Sequence, residues 1–229
     1  MITGASRGIG RATALALSSA DSSFGRLVLV GRPSDKFEQT LKEVRFNAAN
    51  KEIVAIEADL TKPDVAEDIF DTIDDRDIEI HAIVNNAGFT KPASINETRL
   101  DDFELTMRVN LYSPFRIIQT AIRRNHPLKK IINIASTAGM NGRAGWLSYS
   151  ASKAAMINMS EVLREELKPY NIDVTCLSPG RCATDLRKTL APDEDPSSIM
   201  QPQQVADIIK MMTSPTGELL HSQNLVVRM

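Results

Sequence analysis

Cysteine is scarce in this chain, since only Cys176 and Cys182 occur among its 229 residues. Two cysteines are too few for the disulfide framework of a small secreted domain, so that class of fold is not expected. Cys176 lies within an apolar run and is interpreted as a small buried hydrophobe. We therefore expect reduced thiols and a cytoplasmic location.

An excess of positive charge is also missing, because 27 Lys and Arg residues stand against 29 Asp and Glu residues and the net charge is −2. A general binder of nucleic acid or anionic membranes would need a basic surface. The basic residues that do lie close together form one small cluster: Arg123, Arg124, Lys129 and Lys130. No apolar run approaches the roughly 18–20 residues that a membrane span needs. Neither a nucleic-acid partner nor a membrane partner is expected, and no metal site is predicted.

The chain has no internal repeat, and instead alternates short apolar runs with longer amphipathic stretches. The runs that read as strands, apolar on both faces like buried parallel strands, are Leu27–Val30, Ile53–Glu57, Ala82–Val84, Lys130–Ile134 and Asp173–Leu177. The predicted helices are Gly10–Ala20, Lys36–Asn47, Pro63–Asp74, Arg99–Arg124, Tyr149–Lys168 and Gln203–Met212. The alternation predicts one α/β domain over residues 1–229, a Rossmann-type doubly wound parallel sheet with helices on both faces.

The first strand of this fold is central, and only its last residues, Met1-Ile2-Thr3, precede Gly4. Either the chain starts late, or its numbered start omits about five residues, because a very short central strand leaves neighbouring backbone groups unpaired.

A glycine-rich segment, Thr3–Gly10, joins that strand to the first helix. Glycines allow the backbone to turn tightly and to approach a diphosphate closely. A helix that begins near Gly8 points its free N–H groups and its positive dipole end at the phosphates. The alternative reading is a simple glycine-rich turn, because the spacing G-x-x-x-G-x-G is not the general dinucleotide fingerprint.

Further motifs follow along the chain: Asn85-Asn86-Ala87-Gly88, Asn110, Ser136, Tyr149-x-x-x-Lys153 and Pro179-Gly180. With the glycine segment, this ordered set resembles that of the short-chain dehydrogenase/reductase family over essentially the whole chain. The 3-oxoacyl-(acyl-carrier-protein) reductase branch is the most similar. The resemblance implies an oxidoreductase that moves a hydride between a nicotinamide cofactor and a carbonyl or alcohol.

Tyr149 and Lys153 are four residues apart and therefore share one face of a helix. A free tyrosine has a pKa of about 10 and is a poor base at neutral pH. A nearby ammonium lowers that pKa, so the tyrosine can act as acid in reduction and as base in oxidation. An ordinary helix with a surface lysine would show the same spacing.

Ser136 follows the predicted strand Lys130–Ile134, at the strand edge where open α/β sheets bind ligands. Its hydroxyl can hydrogen-bond a substrate carbonyl and the oxyanion that develops from it, although it could also cap the next segment. The resemblance implies the catalytic role. It also implies that Asn110 organises a water relay to Lys153.

The resemblance assigns the remaining cofactor contacts position by position. The predicted cofactor-binding residues are Gly4, Ser6, Arg7, Gly8, Ile9, Gly10, Arg32, Asp59, Leu60, Asn86, Ala87, Gly88, Tyr149, Lys153, Pro179, Gly180 and Thr184. Asp59 would meet the adenine, Asn86 the adenosine ribose and Thr184 the nicotinamide amide.

The second strand ends in Gly31 and Arg32, where NAD-dependent members typically carry an acidic residue for the ribose hydroxyls. Arg7 adds a second guanidinium, and two arginines suit a 2′-phosphate. We therefore predict NADP(H) as the cofactor in preference to NAD(H). The alternative for Arg32 is a solvated loop residue.

The substrate pocket is expected between Phe89-Thr90, the segment Thr137–Leu147 and the segment after Gly180. Its apolar contacts would be Met140, Trp146 and Leu147, and its polar contacts Asn141, Arg143 and Arg181. The prediction is an NADP(H)-dependent oxidoreductase, a carbonyl reductase or alcohol dehydrogenase of unassigned substrate, that interconverts a carbonyl and a secondary alcohol with Tyr149 as acid and base. The alternatives are a 3-oxoacyl-thioester reductase and a non-catalytic cofactor-binding sensor on the same fold.

The two further partners that the sequence suggests are an acyl carrier protein and other copies of this chain. The basic cluster could meet an acidic acyl carrier protein, or it could be a solvated helix end. The chain ends Leu225–Met229 without the family's glycine-rich tail, and the loop Ala191–Met200 is short, which weakens the carrier-protein reading. The family also implies a homodimer or homotetramer built on the helices Arg99–Arg124 and Tyr149–Lys168.

Overall fold

A computed structural model describes residues 1–48, 50–220 and 224–229 of the protein. Its strands are β1 Ile2–Thr3, β2 Arg26–Gly31, β3 Glu52–Glu57, β4 Ala82–Asn85, β5 Lys130–Ile134, β6 Asp173–Pro179 and β7 Asn224–Val227. They form one sheet in the order β3-β2-β1-β4-β5-β6-β7, and every described pair is parallel. Parallel neighbours need crossover connections, and the helices supply them, so the predicted doubly wound fold is confirmed.

The helices are α1 Gly8–Ser18, α2 Asp35–Asn47, α3 Val65–Asp74, α4 Leu100–Met107, α5 Ser113–Arg123, α6 Leu147–Leu167, α7 Asp185–Leu190 and α8 Pro202–Met212. Short 3-10 turns lie at Thr137–Gly139, Lys168–Tyr170, Pro196–Ser198 and Pro215–Leu219. No described helix is both long enough and apolar enough to cross a bilayer.

Two hydrophobic cores cover the two faces of the sheet, and β2 contributes to both. Val28 and Val30 pack into the core that contains α3 and α5, whereas Leu27 and Leu29 pack into the core that contains α1, α2 and α8. Successive side chains of a strand point to opposite faces, so a strand buried on both sides must be apolar at every position. The continuous apolar runs of the sequence therefore predicted these strands correctly.

The predicted helix Arg99–Arg124 is interrupted, because a π-helical turn at Arg108–Tyr112 separates α4 from α5. One-turn π bulges inside α-helices are rare, so the whole stretch was predicted as one continuous helix. The bulge contains Asn110, which is fully buried.

Helix α7 and strand β7 were not predicted. Helix α7 has only six residues, and the single apolar pair Leu186 and Leu190 is too short a pattern to predict a helix. Strand β7 pairs with the outer edge of β6 and has four residues, which is at the short end for strands.

Candidate active site

A cleft of about 610 Å³ opens along the carboxyl ends of the strands. It is lined by every predicted catalytic and cofactor-binding residue except Asn110 and Gly10. Ligands of open α/β sheets bind outside the carboxyl ends of the strands, near the point where strand order reverses. In this sheet that point lies between β1 and β4.

The glycine loop wraps tightly around the start of α1. Gly4 has φ +66°, and a Cβ on it would lie 2.7 Å from the Cα of Ala87. A Cβ on Gly10 would lie 2.2 Å from the carbonyl oxygen of Gly4, so Gly10 serves the packing of this turn and does not line the cleft. Helix α1 begins at Gly8 without a side-chain cap, so its first N–H groups are available to an anion. These features fit a dinucleotide diphosphate.

Asn86 holds the glycine loop in place. Its side-chain amide donates to the carbonyl oxygens of Thr3 at 3.0 Å and Gly4 at 3.2 Å. The hydroxyl of Thr3 accepts the backbone N–H groups of Asn86 and Ala87 at 3.1 and 3.2 Å. The structure thus gives Asn86 a role in joining the ends of β1 and β4, beside the ribose contact predicted for it.

Asp59 and Leu60, which were predicted to meet the adenine, line the cleft just after β3. Asp59 caps the local turn by accepting the N–H of Thr61 at 3.1 Å, and Leu60 is buried.

Tyr149 and Lys153 both lie on the buried face of α6. The Nζ atom of Lys153 lies 5.9 Å from the ring centroid of Tyr149 and donates to the carbonyl oxygen of Ile134 at 2.8 Å. Burial lowers the pKa of Lys153 to about 8. Desolvation at this depth penalises the charged ammonium, so the lysine titrates near neutral pH.

The pKa of Tyr149 is raised in this structure, and burial is the largest cause. A hydrogen bond from Ser136 and the charge of Arg187 act in the opposite direction. The sequence analysis expected the ammonium of Lys153 to lower this pKa. In the structure desolvation of the phenolate dominates, and the tyrosine is held as a neutral proton donor.

Ser136 follows β5, lines the cleft and lies near enough to Tyr149 to lower its pKa. Its oxygen accepts the N–H of Ala138 at 3.1 Å, so the structure shows the capping role that was considered for it. Its catalytic role stays a prediction from the family resemblance.

Asn110 lies behind the cleft, with its side chain fully buried in the π turn. Its Oδ1 atom accepts the N–H of Phe89 at 2.7 Å, and its Nδ2 atom donates to the carbonyl of Phe89 and to the hydroxyl of Ser152, both at 2.9 Å. The π turn aims this side chain at both neighbours, so Asn110 joins the loop after β4 to α6.

The part of the cleft where the adenosine of a dinucleotide is predicted to bind, called the adenosine end, contains Arg7, Arg32 and Lys36. Lys36 and its partner Asp185 were not predicted from the sequence. Asp185 accepts hydrogen bonds from Arg7 at 3.0 Å and from Lys36 at 2.7 Å. Arg7 and Lys36 lower the pKa of Asp185, with Lys36 as the larger cause. Lys36 and Asp185 are 149 positions apart, so no local pattern could have paired them.

Gly31 leaves no room for an acidic side chain at the end of β2. A Cβ at this position would lie 2.6 Å from the hydroxyl oxygen of Ser6 and 2.8 Å from the ring of Phe37. Arg32 follows at the surface and lines the cleft.

Trp146 lies at the end of the cleft that contains Tyr149, which is called the Trp146 end. Its ring meets that of Tyr149 edge-on at 6.4 Å, and the guanidinium carbons of Arg143 and Arg187 lie 5.2 and 5.4 Å from its ring centroid. Arg187 was not singled out in the sequence, although it lies in the predicted segment after Gly180.

Some predicted pocket residues do not line the cleft: Thr90, Met140, Asn141 and Leu147. The last three point into solvent. Thr184 does line it, lies against Gly8 and caps α7 by accepting the N–H of Arg187 at 3.1 Å. Cys182 is buried beneath the loop, and burial raises its pKa to about 11, so the thiol stays protonated.

The predicted basic cluster is not a basic surface patch. Arg124 binds the carboxylates of Glu67, Asp71 and Asp74, and the buried Lys130 pairs with Asp173 at 2.5 Å. The cluster lies at the amino end of β5, about 13 Å from the carboxyl end at a strand rise of about 3.3 Å per residue. It is therefore remote from the cleft.

Comparisons with known proteins agree with this fold. The profile of the short chain dehydrogenase family matches residues 1–195. A 3-oxoacyl-(acyl-carrier-protein) reductase of Synechocystis sp. is 31% identical over 237 residues, which cover 99% of this chain and 94% of that protein. A short chain dehydrogenase from Burkholderia cenocepacia J2315 in complex with NADP superposes with a TM-score of 0.85 at 26% identity, covering 99% and 94% of the two chains. Levodione reductase reaches a TM-score of 0.88 at 21% identity with the same coverage, which is a likeness of fold.

Proposed function

Because the chain belongs to the short-chain dehydrogenase family of oxidoreductases, we propose that it interconverts a carbonyl and a secondary alcohol with NADP(H), using Tyr149 as the acid and base. The observation that carries this proposal is the convergence of Tyr149, Ser136 and Lys153 at one end of a cleft. The glycine loop, which fits a dinucleotide, opens into the same cleft.

The protein's own residues would handle the proton and the substrate oxygen. Ser136 and Tyr149 hydrogen-bond the carbonyl oxygen and polarise it. Tyr149 then donates its phenolic proton to that oxygen, and its raised pKa keeps the proton in place until the oxygen gains negative charge. The ammonium of Lys153 favours the phenolate that remains. The bound cofactor supplies the hydride for reduction.

Asn110 would act as a positioning residue. Its three hydrogen bonds hold the loop after β4 against α6, the helix that carries Tyr149 and Lys153. The water relay from Asn110 to Lys153 stays a prediction from the family resemblance.

Removing only the phenolic oxygen tests the acid role. We expect Tyr149→Phe to lower kcat for NADPH-dependent carbonyl reduction roughly 100-fold or more, in line with general acid catalysis, and to leave NADPH binding intact. Tyr170→Phe is the matched control, because Tyr170 is exposed and does not line the cleft. Full activity of Tyr149→Phe would reject the mechanism, and a biological activity that survives the change would favour the non-catalytic sensor.

The preference for NADP(H) is supported by Arg7, Arg32 and Lys36 at the adenosine end and by the lack of room for a carboxylate at Gly31. The related Burkholderia structure was solved with NADP. We expect Lys36→Ala to weaken NADPH binding about tenfold, as loss of one charge-assisted phosphate contact would, and to leave NADH binding unchanged. Lys42→Ala, at an exposed position of the same helix, is the control. Tighter binding of NADH than NADPH by the unaltered protein would overturn the preference.

A second candidate is 3-oxoacyl-thioester reduction, favoured by the name of the Synechocystis relative. The neutralised basic cluster offers no docking patch for an acidic carrier protein, so acyl carrier protein is a weaker partner than a small carbonyl compound. Turnover of acetoacetyl thioesters with NADPH would support this candidate. Activity on simple ketones without activity on thioesters would reject it.

A further inference from the structure

The cleft is far more positive than the chain around it. Its charged lining comprises Arg7, Arg32, Lys36, Arg143, Lys153, Arg181 and Arg187 against Asp59 and Asp185. The whole chain carries a net charge of −2. A half-enclosed cleft with one sign of charge concentrates ligands of the opposite sign.

The proposed cofactor accounts for only part of this charge. Arg7, Arg32 and Lys36 lie at the adenosine end, and Lys153 belongs to the catalytic group. Three arginines remain at the Trp146 end, namely Arg143, Arg181 and Arg187. The phosphates of the cofactor do not explain them, because the glycine loop and the adenosine end bind those groups.

One carboxylate, that of Glu194, serves two of the three arginines. Arg187 binds it through two nitrogens at 2.5 and 2.6 Å, and Arg181 approaches it at 3.4 Å. Arg143 has no carboxylate within ion-pair distance among residues 1–48, 50–220 and 224–229, and contacts only the ring of Trp146 at 5.2 Å. The three arginines and Glu194 together thus carry a net charge of +2.

These charges lie close to the reacting atoms. Trp146 touches both Arg143 and Arg187, and its ring meets that of Tyr149 at 6.4 Å. The field of Arg187 is strong enough at Tyr149 to act on its pKa. A substrate whose carbonyl oxygen meets Tyr149 would therefore extend toward Trp146 and Arg143.

We propose that the substrate carries an anionic group, a carboxylate or a phosphate, within a few bonds of its carbonyl, and that Arg143 binds this group at the rim of the Trp146 pocket. The inference rests on the proposed function and names the substrate class of the same site. A guanidinium on an aromatic ring is also a common packing contact, but packing alone does not explain three arginines against one carboxylate at the substrate end.

Matched substrate pairs test the inference with NADPH. One pair is 4-oxopentanoate and its methyl ester, and the other is dihydroxyacetone phosphate and dihydroxyacetone. We expect kcat/KM to favour the anionic member of at least one pair by about tenfold, the effect of one charge-assisted contact. The pair that shows the larger preference distinguishes carboxylate from phosphate. Equal turnover of both members in both pairs would overturn the inference.

Arg143→Ala and Glu194→Gln should change the preference for the anionic substrate in opposite directions. Arg143→Ala should abolish it, whereas Arg143→Lys, which keeps the charge, should retain most of it. Glu194→Gln should increase the preference, because it releases Arg187 and Arg181 from their shared carboxylate. Arg76→Ala, at an exposed position outside the cleft, should leave it unchanged. If Arg143→Ala lowers turnover of both members equally, its role is only structural and the inference fails.

The fluorescence of Trp146 distinguishes a failure of this inference from a failure of the proposed function. Trp146 is the single tryptophan of the chain, so its emission reports on this pocket without catalysis. We expect 4-oxopentanoate or dihydroxyacetone phosphate to change the emission saturably, with a higher Kd in Arg143→Ala. Binding without turnover of any carbonyl would reject the proposed function and support the anion site. Turnover of neutral ketones without anion binding would reject the anion site alone.

Discussion

Lys153 is a buried lysine, and its one hydrogen bond to the described residues is donated to the carbonyl oxygen of Ile134. No carboxylate among the described residues forms an ion pair with it, which is why burial brings its pKa down to about 8. Its charge is therefore controlled by small changes in pH near neutrality. A lysine placed in this way can change the energy of the Tyr149 phenolate without touching the substrate.

This pKa predicts the pH dependence of carbonyl reduction. Below about pH 8 Lys153 is charged and favours the phenolate that Tyr149 becomes after it donates its proton. Above that pH the charge is lost, so kcat should fall as pH rises through about 8. The measurement is kcat against pH at saturating NADPH and substrate.

Lys153→Arg provides the control for this profile. A guanidinium stays protonated over the whole range, so the variant should be slower but should lose the inflection near pH 8. A profile of the unaltered protein that stays level to pH 10 would contradict the assigned role of Lys153.

Elements of the fold show which parts of the site the sequence could predict. The glycine loop, Asn86 and Tyr149 could be found from the sequence and line one cleft, because each belongs to a local motif next to a strong strand or helix signal. Lys36 and Asp185 were missed because their ion pair joins α2 to a six-residue helix without apolar periodicity. Local sequence patterns predict helices and strands, whereas contacts between distant elements depend on how the chain packs.

The π turn gives a testable consequence at this scale. Asn110→Ala should leave the N–H and C=O groups of Phe89 and the hydroxyl of Ser152 with fewer partners. Loss of such buried hydrogen bonds costs roughly 1–3 kcal/mol, so we expect a lower free energy of unfolding in urea. Hydrogen exchange at the Phe89 amide should also become faster.

Asn158→Ala is the matched change for this test, because Asn158 is exposed on α6 and has no side-chain hydrogen bond among the described residues. It should alter neither measurement. Unchanged exchange at Phe89 in Asn110→Ala would show that the loop is held by other contacts.

At the scale of the whole molecule, both faces of the sheet are covered, yet several large apolar side chains remain exposed. Tyr112, Phe115 and Ile122 follow one stripe along the π turn and α5, and Leu147 and Val162 lie exposed on α6. The spacings of three and seven residues place Tyr112, Phe115 and Ile122 on one face. A homo-oligomer built on these two helices stays a prediction, and the exposed stripe along α5 offers it a surface.

Phe115→Asp tests the predicted assembly. A stable interface buries roughly 1,200–2,000 Å² and tolerates an unpaired carboxylate in its apolar centre poorly. We therefore expect the unaltered protein to be a dimer or tetramer by light scattering, and Phe115→Asp to shift it toward the monomer at micromolar concentration. Phe46→Asp is the matched control, because Phe46 is 91% exposed and lies on α2, away from both helices. A monomeric unaltered protein, or an equal effect of both substitutions, would contradict an interface built on α5 and α6.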